Sequence, residues 1–155
     1  MKKLGLVLNK YKLGFDVFGL LLFFIIMIPN CIWFAIPAPD DVLRADSVTV
    51  PFDTVASICQ VIMIILLCVF INKERKKLSN TPCIITVIIC CILYFISWIL
   101  YYNGITSAII ILGLTISPCL AFLFFAIDRK NNVALIPIFI FTICHLIYAI
   151  VNYII

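Results

Sequence analysis

Residues 82–102 read PCIITVIICCILYFISWILYY, a stretch of 21 residues that contains no charged side chain. An α-helix rises 1.5 Å per residue, so about 20 apolar residues are enough to cross the roughly 30 Å hydrocarbon core of a bilayer. Apolar residues fall on every face of the stretch instead of alternating with polar ones, which favours a helix over the strand of a transmembrane barrel. This stretch therefore predicts a membrane-spanning helix.

The same pattern recurs along the chain. The chain is 66% hydrophobic and only 12% charged, with a mean hydropathy of +1.29, whereas soluble domains are about half apolar and a quarter charged. The predicted helices run from Phe15 to Ile36, Thr54 to Ile71, Pro82 to Tyr102, Ile105 to Ile127 and Val133 to Ile155. We predict an all-α, polytopic integral membrane protein, with one membrane domain over residues 1–155 that forms a bundle of five transmembrane helices.

The N-terminal segment allows two interpretations. Lysines precede the first apolar stretch as in a secretory signal, but the stretch is too long and Pro39 crowds the small-residue exit, so a retained first helix is expected. Before this helix, four apolar residues among the lysines have the spacing of one helix face, which predicts a short helix at the inner membrane surface. A plain basic tail remains the alternative. The apolar residues with this spacing are Leu4, Val7, Leu8 and Tyr11.

The basic residues predict the orientation, because short cytoplasmic loops are enriched in lysine and arginine. All of them except Arg44 fall in three segments on one side of a five-helix chain: Lys2, Lys3, Lys10 and Lys12; Lys73, Arg75, Lys76 and Lys77; Arg129 and Lys130. The N-terminus is therefore expected in the cytoplasm and the C-terminus outside.

The net charge of +4 suits anionic headgroups of the lipid bilayer, and nothing predicts nucleic-acid binding. The bias toward Ile, Lys and Asn suggests a bacterial plasma membrane.

The connection between the first two helices, residues 37–53, is predicted to be an acidic outer loop. It carries four aspartates, Asp40, Asp41, Asp46 and Asp53, and a single basic residue, Arg44. Arg44 is expected to pair with one of the aspartates. The loop could attract a cationic ligand or dock a partner protein, or it could simply be solvated because topology places it outside.

Capping residues and prolines mark the helix boundaries. Asn80 or Thr81 is expected to cap the third helix, with Pro82 in its first turn, and Asp53 is expected to cap the second. Pro29 and Pro118 each remove a backbone hydrogen bond inside a helix. They should therefore face other helices, where the freed carbonyl can find a partner.

Polar and aromatic side chains concentrate in the outer halves of the helices. Polar groups inside hydrocarbon are costly unless paired, so they usually face the bundle interior or a wet cavity. We therefore predict a polar and aromatic pocket that is open toward the outside. Two alternatives remain: Tyr and Trp also form belts at membrane interfaces, as expected for Tyr101, Tyr102, Tyr153 and Trp33, and polar residues also pair helices. The predicted ligand-binding residues are Asn30, Trp33, Gln60, Tyr94, Trp98, His145 and Tyr148.

The sequence offers little catalytic chemistry. His145 is the only histidine and could serve as a proton-sensitive contact or as a neutral packing residue. The cysteines have no C-x-x-C spacing and suit small apolar residues, although Cys31 and Cys59 lie at a similar depth and could form a disulfide. Asp16 is expected at the inner interface. No catalytic residue, metal or cofactor is predicted.

Three functional hypotheses follow. The first is a small, non-enzymatic integral membrane protein that binds, senses or passes a small or amphipathic ligand through the outward pocket. The second is an accessory or assembly subunit without its own ligand, held by a membrane protein partner or as a homo-oligomer. The third is a membrane-embedded enzyme.

Overall fold

Five long helices form the body of the computed structural model, which describes residues 9–75 and 77–155. They are α1 (Val17–Ala35), α2 (Val50–Val69), α3 (Pro82–Tyr102), α4 (Ala108–Asp128) and α5 (Asn132–Tyr153). Each is long and apolar enough to cross a membrane. The chain thus has the all-helical architecture of five long apolar helices that its apolar stretches predict.

A capping threonine and a first-turn proline explain where α3 and α2 begin. The Thr81 side chain caps α3 by accepting a hydrogen bond from the backbone N–H of Ile84 at 3.2 Å, as predicted. Helix α2 begins four residues earlier than predicted, because Pro51 fits the first turn, where no N–H is needed. The capping role predicted for Asp53 is therefore wrong. This residue lies inside the first turn of α2, where its carboxylate accepts from the Thr49 hydroxyl at 3.0 Å.

The other three helices differ slightly from their predicted bounds. Helix α4 begins at Ala108, after the turn that follows α3, and not at Ile105. Helix α1 is shorter than predicted by two residues at its start and one at its end, and α5 is shifted toward the N-terminus. Differences of this size reflect capping and chain reversal, which hydropathy does not report.

A two-stranded antiparallel ribbon lies at one end of the bundle. It pairs β1 (Tyr11–Leu13) with β2 (Phe70–Asn72), with Tyr11 opposite Asn72. The second helix therefore does not continue to Ile71, and Tyr11 is in a strand and not in the predicted surface helix. The other residues of that predicted helix, Leu4, Val7 and Leu8, lie outside the described part of the chain. Pairing between the strands satisfies backbone groups that a frayed helix end would leave open.

The ribbon also reaches the turn between α4 and α5. The Asn72 side-chain amide donates to the carbonyl of Lys130 at 2.8 Å, and the Tyr11 hydroxyl accepts from the backbone N–H of Asn132 at 3.0 Å. Three connections thus meet at one end, here called the basic end: residues 9–13, 70–75 and 128–132. The acidic loop lies at the opposite end.

The helices pack in a ring around a central space. Their main contacts follow the cyclic order α1, α2, α5, α4, α3 and back to α1. Helix α4 is the most buried of the five. Pro29 and Pro118 are both buried, so the two predicted breaks face the interior.

A buried ion pair closes the basic end. Asp16 caps α1 by accepting from the backbone N–H of Phe18 at 3.2 Å. Its carboxylate also accepts from the Arg129 guanidinium at 2.9 and 3.0 Å and pairs with Arg75. Asp16 is 4% exposed and Arg129 is 6% exposed, so the carboxylate is buried within the protein at the end of the bundle. Two cations and a helix N-terminus offset the cost of burying this charge.

Candidate functional site

A cavity of about 440 Å³ occupies the centre of the helix ring and extends beneath the acidic loop. Side chains from all five helices line it, together with Leu43 and Ser47 of the loop. The seven residues singled out from the sequence are all among them: Asn30, Trp33, Gln60, Tyr94, Trp98, His145 and Tyr148. The structure therefore brings these residues to one place. Their role in binding a ligand remains a prediction.

One wall of the cavity is an aromatic cluster on α1 and α3. The Trp98 ring lies nearly perpendicular to the rings of Tyr94 and Tyr101, with centroids 6.3 and 5.7 Å away. The Trp33 ring approaches Trp98 from α1 at 6.4 Å. Edge-to-face pairs of this kind are favourable because the positive edge of one ring meets the negative face of another. This wall therefore has a well-defined shape.

The opposite wall is a stack of rings on α5. His145 is nearly parallel to Phe141 and Tyr148, with centroid distances of 5.0 and 6.0 Å. These residues fall at positions i, i+4 and i+7, which share one helix face. The Tyr148 hydroxyl is hydrogen-bonded to the hydroxyl of Tyr153, which also lines the cavity. The imidazole is thus held between two rings.

Several polar groups in the lining lack partners in the described part of the chain. Trp98 Nε1 is the one buried side-chain nitrogen or oxygen there without a hydrogen bond. Gln60 and His145, which also line the cavity, make no hydrogen bond to the described residues. Buried polar groups in proteins are normally satisfied. A cavity with unused donors and acceptors can satisfy them through water or a bound molecule.

Other polar side chains are already satisfied. The hydroxyls of Thr115 and Thr142 donate to carbonyls one turn earlier in their own helices, at 2.8 and 2.7 Å. The Asn30 amide donates to the Tyr94 hydroxyl at 2.7 Å and so links α1 to α3. Interhelical pairing, one of the alternatives to a pocket, therefore accounts for Asn30 and Tyr94.

The acidic loop is folded onto the bundle around Asp41. Its carboxylate accepts hydrogen bonds from the Tyr101 hydroxyl at 2.7 Å and from Trp33 Nε1 at 2.9 Å. Arg44 pairs with it at 2.9 Å, as predicted for one of the aspartates. Tyr101 is 0% exposed, so its prediction as an interfacial belt residue is wrong. Asp40 and Asp46 are exposed, as expected for a solvated loop, but Asp41 is not.

The rest of the loop is attached to α5. The side-chain amide of Asn152 donates to the Thr49 hydroxyl at 2.7 Å, and its oxygen accepts from the backbone N–H of Val48 at 2.8 Å. The Ser47 hydroxyl donates to the Asp53 carboxylate. The loop thus covers the end of the cavity, while exposed Ser57 on α2 marks where the lining reaches the surface. Sequence patterns gave no signal for Leu43 or Ser47, because loop residues have no helical period.

Acid should weaken the loop through Asp41. Burial raises the pKa of this carboxyl group, but hydrogen bonds from Trp33, Tyr101 and Arg44 outweigh it, and the pKa lies below its ordinary 3.8. A lowered folded-state pKa stabilises the fold above the unfolded-state value, and this contribution is lost as the pH falls through the folded-state pKa. We therefore expect the stability difference between the native protein and Asp41→Asn to be constant above about pH 5 and to shrink below pH 3.8.

Unfolding titrations at a series of pH values measure this difference. Asp40→Asn removes a carboxylate from the neighbouring, exposed position and should show no such trend. A difference that grows on acidification would contradict the assignment of Asp41 as the stabilising carboxylate.

The cysteines do not form the disulfide considered from the sequence. Cys31 is exposed, Cys59 is buried, and both thiols are free. The possibility that the sequence left open is therefore not realised. In residues 9–75 and 77–155, no group of three or more His, Cys, Asp or Glu side chains could hold a metal ion.

Comparison with known proteins gives no relative from which to transfer a function. The chain matches no protein-family model, no curated protein and no solved structure.

Proposed function

We propose that this protein binds a small or amphipathic ligand in the central cavity, as a non-enzymatic membrane protein that senses or passes that ligand. The convergence of all seven predicted residues on one cavity carries this proposal. Ligand sites are typically concave, largely apolar and supplied with a few polar groups. The cavity fits this description, with two aromatic walls, the Gln60 amide in its lining, and a Trp98 indole nitrogen that has no partner among the described residues.

A second, apolar groove supports an amphipathic ligand. It lies between α1 and α3, measures about 490 Å³ and is lined entirely by apolar side chains. It adjoins the central cavity: on α1, Leu22 of the groove is one turn from Ile26 of the cavity, and on α4, Phe125 is one turn from Phe122. A molecule with a polar head and an apolar tail would have matching surroundings for both parts.

The proposed topology places the basic end in the cytoplasm and the acidic loop outside, in a bacterial plasma membrane. The meeting of three basic segments at one end supports it, because such segments are retained on the cytoplasmic side. The cavity, which lies beneath the acidic loop, would then face outward.

The accessory-subunit hypothesis explains less of the structure. It requires the polar residues to serve only in pairing helices, which suits the Asn30–Tyr94 bond. It does not explain why the buried Trp98 indole nitrogen has no hydrogen-bond partner in the described part of the chain. The enzyme hypothesis has less support, since His145 makes ring contacts and no hydrogen bond to a nucleophile or carboxylate in the described residues.

Ligand binding can be measured through the protein's own tryptophans. The chain has two, Trp33 and Trp98, and both line the cavity. We expect para-bromobenzyl alcohol, a small neutral amphiphile whose bromine quenches indole fluorescence on contact, to quench the detergent-solubilised protein saturably. Ser57→Phe places a ring where the lining reaches the surface and should leave only linear, collisional quenching.

Thr54→Phe is the matched control. Thr54 is also an exposed hydroxyl residue on α2, nearly one turn earlier, but it does not line the cavity. Quenching of Thr54→Phe should saturate as in the native protein. Linear quenching in the native protein, or saturation that Ser57→Phe leaves unchanged, would contradict binding in the cavity.

A further inference from the structure

We propose that the polar part of the ligand is an organic cation, held between the aromatic walls beside Asp53. This inference rests on the proposed function and specifies the chemical class of its ligand. It follows from the charges and rings that surround the cavity.

The charge in the described lining of the cavity is negative. Asp53 lines the cavity, and no lysine or arginine does so in the described part of the chain. Asp53 also belongs to no ion pair among the described residues, in contrast to Asp16 and Asp41. A carboxylate without a protein counter-ion favours a positively charged molecule nearby and disfavours an anion.

Hydroxyl groups fix the position of this carboxylate. Ser47 donates to one Asp53 oxygen, and Thr49 donates to the other at 3.0 Å. Thr49 is itself held by the Asn152 amide at 2.7 Å. Neutral donors orient the carboxylate without neutralising its charge, so it remains available to a cation.

The aromatic walls add a second attraction. A cation within about 6 Å of an aromatic centroid is attracted by the negative face of the ring. The structure contains one such contact at the edge of the site, where the Arg44 guanidinium lies 4.9 Å from the Trp33 centroid. Inside the cavity, Trp98 and Tyr148 present rings from opposite walls, and no lysine or arginine among residues 9–75 and 77–155 lines the space between them.

The acidic loop makes the region outside the cavity negatively charged as well. Residues 37–53 carry four aspartates and one arginine, and that arginine is paired with Asp41. Charge of one sign around a cleft raises the local concentration of oppositely charged ligands. The loop and the lining would therefore select the same class of molecule.

Three quenchers with a common para-bromobenzyl body test the charge preference: the trimethylammonium cation, the neutral alcohol and the sulfonate anion. We expect the cation to bind the native protein at least tenfold more tightly than the alcohol, and the sulfonate to bind most weakly. Asp53→Asn keeps the shape of the side chain and one oxygen that can accept from a hydroxyl, but it removes the charge. It should abolish the preference for the cation and leave the affinity for the alcohol within about twofold.

Asp46→Asn is the matched control, because it removes one negative charge from an exposed loop position outside the cavity. It should retain most of the preference.

Equal binding of all three quenchers to the native protein would overturn the inference and leave the proposed function standing. A cation preference that survives Asp53→Asn would overturn the role of Asp53. Absence of saturable quenching by all three would overturn both proposals. If Asp53→Asn does not fold, the order of affinities in the native protein and in Asp53→Glu, which keeps the charge, decides the question.

Discussion

Replacement of Arg129 by methionine is expected to lower the free energy of unfolding by about 3 kcal/mol, at the lower end of the range for breaking a buried ion pair. The substitution preserves much of the side-chain volume but leaves the Asp16 carboxylate, 4% exposed, without its more buried partner. Arg75 still contacts Asp16, which is why the low end of the range applies. Denaturation by sodium dodecyl sulfate, followed by circular dichroism, measures the change.

Two further variants separate the charge from the packing. Arg75→Met should lower stability by about 1 kcal/mol or less, because its side chain is 27% exposed and solvent can replace the contact. The double variant Asp16→Asn with Arg129→Met should be more stable than Arg129→Met alone, since it removes the stranded charge and keeps an oxygen that caps α1. A double variant that is less stable than Arg129→Met would show that packing, and not the buried charge, dominates.

The second large effect is expected from Asp41→Asn, which should reduce the free energy of unfolding by about 2 kcal/mol, a typical value for a hydrogen bond to a charged group. The carboxylate accepts on both oxygens, from Trp33, Tyr101 and Arg44. An asparagine amide offers one oxygen and turns an N–H₂ group toward a donor. Asp40→Asn removes one negative charge from the adjacent position. It should change the free energy of unfolding by less than about 0.5 kcal/mol, because the Asp40 side chain is exposed.

Asp41→Asn should also change ligand binding, because Leu43 and Ser47 cover the cavity from the same loop. We expect saturable quenching by the bromobenzyl probes to weaken in this variant and to remain in Asp40→Asn. Full affinity in Asp41→Asn, together with the expected loss of stability, would show that the loop supports the fold without shaping the site.

The periodicity of the helices explains why the site residues could be chosen before the structure was known. Residues spaced i, i+4 and i+7 share a helix face, and in a membrane a polar face turns toward other protein. His145 and Tyr148 on α5 satisfied this rule, as did Tyr94 and Trp98 on α3. The rule does not predict which helix packs against each polar face. The packing of α2 beside α5 in the ring has no sequence signal.

The contacts at the two ends of the bundle could not be predicted for a common reason. Asp16 and Arg129 are 113 positions apart, and Asp41 and Tyr101 are 60 apart. The sequence alone shows only that each of these residues lies near the end of an apolar stretch. The strands at Tyr11 and Asn72 are three residues long, too short for an alternating pattern to appear.

By itself, the sequence determined the five helices, because the length of an apolar stretch needed to cross a bilayer is fixed by helix geometry. It also determined which segments carry the basic residues and at which depth the helices turn polar. Only the tertiary structure decided that the polar faces meet in one cavity, that the acidic loop covers it, and that Arg75 and Arg129 hold the Asp16 carboxylate. Those features depend on contacts between residues far apart in the chain, which local chemistry permits but does not select.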